Sequence, residues 1–281
     1  MTSFRVTLKH SLYGNIRLEF KKQKVKIMIK DVNNMSIKAI SQLLSESSID
    51  DAILDLLKQD QRKGVQSLVL KYEKNILKAK LEDERLEKMW LYEKECYKEG
   101  YHAVAGTDEV GRGCLAGPVV AAAVILPNNF MLKGINDSKK LTARKREEFS
   151  LIIKEQALAF SIQEISPEVI DQINILHAAE LAMENAITNL QAVDYILVDG
   201  ENNLNIALPF KNIIRGDSKS ISIAAASILA KVHRDQLMEA YDQVYPEYGF
   251  ASHKGYGTSV HYEALKMHGP SPLHRRSFRL I

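Results

Sequence analysis

The sequence predicts an α/β protein. Three observations carry that reading. Residues 101–281 alternate short apolar runs with segments of helical periodicity. The 281 residues are 46% hydrophobic and 26% charged, enough apolar material for a sizeable core and too much for a disordered chain. Only two cysteines occur, Cys96 and Cys114, so neither a disulfide framework nor a four-cysteine zinc site is available.

The elements follow in order. Residues 4–30 are rich in Val, Ile, Phe and Lys with partial alternation, and Tyr13, Gly14 and Asn15 suit a turn between two strands. A sheet this small is marginal alone, and the texture changes at Met35, which is a plausible alternative start; residues 1–34 then form a short basic extension. Residues 35–99 read as a helical extension. Ser47 or Ser48 can cap a helix through Ile53, Leu56 and Leu57, and a second, proline-free helical segment runs from Gly64 to about Tyr97. Its heptads are too irregular for a coiled coil, which leaves a helical hairpin.

Residues 100–281 form the α/β part of the chain. Buried strands are predicted at 103–109 and 117–127, a helix at 142–158, an alternating strand at 160–166 and a helix at 168–191. Strands at 195–200 and 209–216 and a long helix at 218–241 complete the pattern.

Carboxylates stand at the ends of these strands. Asp108 and Glu109 end the first and precede Gly111, Arg112 and Gly113. Asp199 ends another, and Asp217 follows a third. A charge at the end of a buried strand is expensive unless it is paired or bound to metal, and ligand sites of α/β sheets gather there. Oxygen ligands of this kind suit Mg²⁺ or Mn²⁺, and two such ions about 4 Å apart can clamp a phosphodiester in line. Asp199 and Asp217 equally suit turn or N-cap roles. Asp108 and Glu109 have no turn role, but neighbours on a strand point to opposite faces. Either the strand ends there, or Glu109 contributes a backbone carbonyl or a supporting contact.

The stretch TDEVGRGCLAGPVVAAAV (107–124) resembles the signature of type 2 ribonuclease H, and of bacterial ribonuclease HII in particular. NDSKKLT (136–142), VDG (198–200), GDSKSISIAAASILAKVHRD (216–235), HKGYGT (253–258) and SPLHRRSF (271–278) follow in that family's order. The resemblance implies a ribonuclease-H-like mixed central sheet flanked by helices. It implies cleavage of RNA in RNA–DNA hybrids, and nicking of duplex DNA 5′ to embedded ribonucleotides, leaving 5′-phosphate and 3′-hydroxyl ends. It assigns Asp108, Glu109, Asp199 and Asp217 to catalysis and to two Mg²⁺ or Mn²⁺ ions. It assigns Gly111, Arg112 and Gly113 to the ribonucleotide 2′-hydroxyl, Tyr256 to the adjacent sugar, and Ser138 and Lys139 to a substrate phosphate; Lys219, closely following Asp217, is placed to meet phosphate as well. A related type, ribonuclease HIII, carries GTG where this chain has GRG, so Arg112 favours the HII type.

The formal net charge is +3, but residues 1–34 hold 8 basic against 2 acidic residues and residues 99–281 hold 18 against 21. Nucleic-acid binding therefore depends on the placement of basic groups: the cluster at 139–146, Lys219, and Arg275, Arg276 and Arg279 in a tail that suits either a solubilising end or duplex backbone contact. No run approaches the roughly 18 apolar residues of a membrane span, and residues 1–30 lack the apolar core of a signal peptide. The expectation is a cytoplasmic enzyme acting on hybrid and ribonucleotide-containing duplexes, with no membrane and no required protein partner.

Overall fold

A computed structural model describes residues 32–45 and 49–280. The strand reading of residues 4–30 lies outside the described residues, and so do Ser47 and Ser48. The chain divides into two compact units between Leu81 and Glu82.

The first unit is helical. It holds α1 (Ile37–Leu43), α2 (Asp51–Lys58) and the larger part of α3 (Lys63–Met89). Ser36 caps α1 by accepting from the Ala39 N–H, and Asp50 caps α2 by accepting from the Ala52 N–H. The aspartate directly before the helix is the cap that the sequence reading had placed at Ser47 or Ser48. Apolar positions of one face from each helix meet in a small core: Ile40 and Leu43, Ile53 and Leu57, Val65 and Val69, with Val32.

The second unit carries the end of α3 and α4 (Leu91–Lys98), then β1 (Val104–Val110), β2 (Val119–Ile125), α5 (Ala143–Gln156), β3 (Ala159–Ile165) and α6 (Pro167–Thr188). After these come β4 (Tyr195–Asp199), β5 (Phe210–Ile213), α7 (Ile221–Val244), α8 (Phe250–His253) and α9 (Ser259–His268). The strands lie in the order β3-β2-β1-β4-β5. β1 pairs antiparallel with β2 and parallel with β4; β3 and β5 close the edges, antiparallel and parallel respectively. The sheet is mixed, with helices on both faces.

β2 shows why. All seven of its residues are buried. Val119, Ala121, Ala123 and Ile125 pack in one core with α6, whereas Val120, Ala122 and Val124 pack in the other with α5 and α7. That is the period of two of a strand covered on both faces. α7 approaches most closely at Gly106 of β1, where an added Cβ would lie 2.2 Å from the Ile223 backbone nitrogen. Only a glycine lets the helix start sit against the strand.

Three expectations shift in detail. The helix predicted over 168–191 breaks at Asn174, which has φ 65° and whose side chain accepts from the Leu176 and His177 N–H groups, capping the second half. The strand predicted over 209–216 stops at Ile213, and Arg215 adopts a left-handed conformation, φ 58°. The long helix then begins at Ile221 instead of 218, because Ser220 accepts from the Ile223 N–H and sets its start.

Candidate active site

β1 and β4 run parallel, with Gly106 opposite Leu197 and Thr107 opposite Val198. One step further along both strands stand Asp108 and Asp199, side by side where the sheet opens. β1 continues through Val110, so the pleat sends Asp108 and Glu109 to opposite faces. Asp108 is buried on the α7 face, where Ser227 of that helix lies near enough to oppose the rise of its carboxyl, and its Oδ1 accepts from the Glu109 N–H at 2.8 Å. Glu109 turns to the Arg112 guanidinium, Oε1 to Nη1 3.1 Å. The Asp199 carboxyl holds the next loop: its Oδ1 accepts from the Gly216 N–H at 2.5 Å and from the Asp217 N–H at 3.3 Å. Asp217 thus sits in a single 3₁₀ turn, Gly216–Ser218, pinned to the end of β4.

The carboxyls sense one another. Burial, then Glu109, Asp199 and Asp217, push the Asp108 carboxyl well above the ordinary carboxylate range. Burial raises Glu109, with Arg112 opposing and Asp199 adding to the rise. Asp217 is pushed up to about 6 by burial and by Asp137 and Asp199, against Lys139. A cluster of acids this uncomfortable is relieved by a cation. Among the described residues, no three His, Cys, Asp or Glu side chains are gathered tightly enough to enclose a metal by themselves. An oxygen-only set of this kind fits Mg²⁺ or Mn²⁺ held by one or two carboxylates with water and substrate phosphate completing the shell.

The glycine-rich loop stands beside the cluster. Gly111 has φ +95°, and a Cβ there would lie 2.3 Å from the Arg234 Nε. Arg112 and Gly113 are exposed. Cys114 forms an isolated antiparallel bridge with Tyr256, and the Leu115 N–H donates to the Gly255 carbonyl at 2.8 Å. Tyr256 is 40% exposed, with the Lys231 ammonium and the Arg234 guanidinium 6.0 Å from its ring centroid.

The structure thus gathers Asp108, Glu109, Asp199 and Asp217 at one end of the sheet and brings Gly111, Arg112 and Gly113 to Tyr256. Lys139 is exposed and close enough to Asp217 to oppose its rise. Ser138 differs: it is buried, its hydroxyl 3.0 Å from that of Ser227, beneath Asp108. The Lys219 ammonium donates to the Ile214 carbonyl at 2.7 Å.

Several supporting residues were not singled out in the sequence. Ser227 is one. Glu93 of α4 is another: it is buried, and its Oε1 accepts from the hydroxyls of Ser220 (2.5 Å) and Ser222 (2.6 Å) and from the Ser222 N–H (3.1 Å), fixing the start of α7. Behind Tyr256 lies a directional histidine chain. The Ser271 N–H donates to His274 Nδ1 at 3.0 Å, so that nitrogen is an acceptor and Nε2 carries the proton. His274 Nε2 then donates to His261 Nε2 at 2.9 Å, and His261 Nδ1 donates to the Tyr256 carbonyl at 2.9 Å. Both rings must be neutral for this chain. Burial, and the neighbouring His261, press His274 down to about 4. No single-residue signal marks such a chain; spacing in sequence does not show that residues 261 and 274 meet.

Comparison with known proteins converges on one family. The Ribonuclease HII family model matches residues 105–281, and the Ribonuclease HII N-terminal domain model matches residues 36–97. Ribonuclease HII of Clostridioides difficile is 47% identical over 250 residues, covering 88% of this chain and 98% of that protein. Ribonuclease HII of Shouchella clausii is 50% identical over 246 residues, 87% of this chain and 95% of that one. Among solved structures, ribonuclease H2 of Pyrococcus horikoshii superposes with a TM-score of 0.56 at 25% identity, over 64% of this chain and 95% of that one. Among the described residues, no helix is long and apolar enough to cross a membrane.

Proposed function

Given that the chain belongs to the ribonuclease HII family and is a ribonuclease H hydrolase, we propose that it cleaves the RNA strand of RNA–DNA hybrids and nicks duplex DNA 5′ to embedded ribonucleotides. The products carry 5′-phosphate and 3′-hydroxyl ends. The observation that supports this most is the convergence of Asp108, Asp199 and Asp217 from two strand ends and the turn that Asp199 pins, next to a glycine-rich loop bridged to Tyr256.

In this reading Asp108, Asp199 and Asp217, with Glu109 close by, would hold two divalent ions, Mg²⁺ or Mn²⁺. When bound, the ions supply polarisation of the scissile phosphodiester and of the attacking water. The protein's own groups do the rest. Ser227 favours the charged form of the Asp108 carboxyl, and the Ser138 hydroxyl pairs with that of Ser227. Ser138 therefore supports the site from beneath, while Lys139 and, with its ammonium swung free of the Ile214 carbonyl, Lys219 meet substrate phosphates. Gly111, Arg112 and Gly113 present backbone polar groups to the 2′-hydroxyl, the group that separates RNA from DNA. Tyr256 lays its exposed ring on the neighbouring sugar. Arg112, paired with Glu109, ties substrate recognition to the carboxylate cluster.

The test is Asp108→Asn. The amide keeps the shape but not the charge. We expect cleavage of a ribonucleotide-containing duplex in Mg²⁺ to fall at least about 100-fold, more than loss of an outer contact to a metal ligand costs, with the circular dichroism spectrum unchanged. Full activity in that variant would sink the assignment of Asp108.

A further inference from the structure

Arg275 reads in the sequence as part of a basic tail open to duplex DNA. The structure places it differently. Its side chain is fully buried. Nε and Nη2 donate to the Gly117 carbonyl at 3.0 and 2.9 Å, Nη2 also donates to the Gly111 carbonyl at 2.7 Å, and Nη1 donates to the Arg112 carbonyl at 3.0 Å. Among the described residues it has no salt bridge. A buried guanidinium without a carboxylate is expensive, and here carbonyl dipoles alone offset that expense. The backbone around it is fixed too. The Arg275 N–H donates to the Leu115 carbonyl, the Gly117 N–H donates to the Leu273 carbonyl, and Ala116 bridges to His274.

A second buried guanidinium completes the frame. Arg234 donates to the carbonyls of Pro118 (2.9 Å), Lys254 (2.8 Å) and Ala116 (3.1 Å), and its Nε packs where a Cβ on Gly111 would be. The loop from Gly111 to Pro118 is thus held by its carbonyl oxygens.

A trans peptide points its carbonyl and the following N–H in opposite directions. With the Gly111 and Arg112 carbonyls captured by Arg275, the N–H groups of Arg112 and Gly113 point away from it. Among the described residues neither has a protein acceptor, and both residues are exposed. Two fixed, unoccupied donors on adjacent residues suit a sugar hydroxyl or a phosphate oxygen.

We infer that Arg275 is a positioning residue: it turns the Arg112 and Gly113 amides outward as donors to the oxygen by which the enzyme recognises its ribonucleotide. The inference rests on the proposed recognition role of the Gly111–Gly113 loop. Lysine cannot replace the fork, since three bonded carbonyls need the planar guanidinium.

The experiment uses the full chain carrying Arg275→Lys or Arg275→Met, with steady-state kinetics and cut-site mapping on a duplex containing one ribonucleotide. A purely structural role would lower the folded fraction, and with it kcat alone; molecules that remain folded would keep the KM and the cut position. A loosened loop raises KM by about tenfold, the scale of one lost hydrogen bond to a charged group, and spreads the cut to neighbouring phosphates. Ile187→Val, a buried core position of α6, serves as the stability control and should leave both unchanged. If the wild-type protein leaves the duplex uncut, the functional reading fails. If the wild type cuts and Arg275→Lys keeps its KM and cut position, the role of Arg275 is overturned. Should neither variant fold, amide exchange in the wild type decides. Protection of the Arg112 and Gly113 N–H groups by bound duplex supports the inference, and unchanged exchange overturns it.

Discussion

Asp217→Asn should make the metal-free protein more stable while it weakens catalysis. In the fold the Asp217 carboxyl is pushed up to about 6, first by burial and then by Asp137 and Asp199. The ordinary value is 3.8. A folded-state pKa above the unfolded one means that the acid form suits the fold. Stability is then greatest below about pH 4 and falls as pH rises through 6, by about 1.4 kcal/mol per unit of difference. The full effect at pH 8 is about 3 kcal/mol, an upper value because water and salt at the sheet edge screen part of it. Asparagine cannot ionise, so it removes the repulsion with Asp137 and Asp199. Urea denaturation in chelator should show the variant more stable by up to about 3 kcal/mol at pH 8 and level with the wild type at pH 4. Added Mg²⁺ should stabilise the wild type more than the variant and narrow the gap. A variant equal to or weaker than the wild type at pH 8 without metal would refute the repulsion argument.

Other outcomes follow from the supporting residues. Glu93→Ala should cost about 3 kcal/mol in denaturant unfolding, since it opens a cavity and strips the Ser220 and Ser222 hydroxyls of their acceptor. Glu93→Gln, which keeps an acceptor oxygen, should cost far less, and equal losses would show that only volume matters there. The neutral histidine chain gives a pH dependence of opposite sign to that of Asp217. With His274 lowered to about 4 from 6.5, its contribution is complete above pH 6.5 and is lost as pH falls through 4, about 3 kcal/mol in all. His274→Gln should flatten the wild-type loss of stability between pH 6.5 and 4; parallel curves would remove the chain from the explanation.

Much of the fold was legible in the sequence because burial leaves a continuous trace. The run at 117–127 is apolar on both faces of the sheet, and β2 is buried on both. The acids were legible because Asp108 and Glu109 interrupt an apolar run. The opposite faces that the pleat demands of them are what the structure contains, since β1 runs on through Val110. Arg275 was not legible. A basic residue near a C-terminus usually means a solvated tail, and its burial depends on carbonyls at Gly111, Arg112 and Gly117 that only tertiary structure brings near. Glu93 was hidden in the same way, as one charge among many on a polar helix. The family resemblance sets Ser138 at a substrate phosphate, and its position beneath the surface, with its hydroxyl 3.0 Å from that of Ser227, is a tertiary fact that the motif does not carry. Asn174 shows the limit of periodicity: the apolar spacing continues through it, and a single side-chain cap breaks the helix.

The most direct test of the proposed activity is cleavage of a DNA duplex carrying one ribonucleotide, run in Mg²⁺ and Mn²⁺ beside the same duplex made wholly of DNA. We expect a single nick 5′ to the ribonucleotide, with a 5′-phosphate on the downstream fragment, and no cleavage of the DNA control. Equal cutting of both duplexes, or cutting that ignores the ribonucleotide's position, would contradict recognition of the sugar by the Gly111–Gly113 loop and Tyr256.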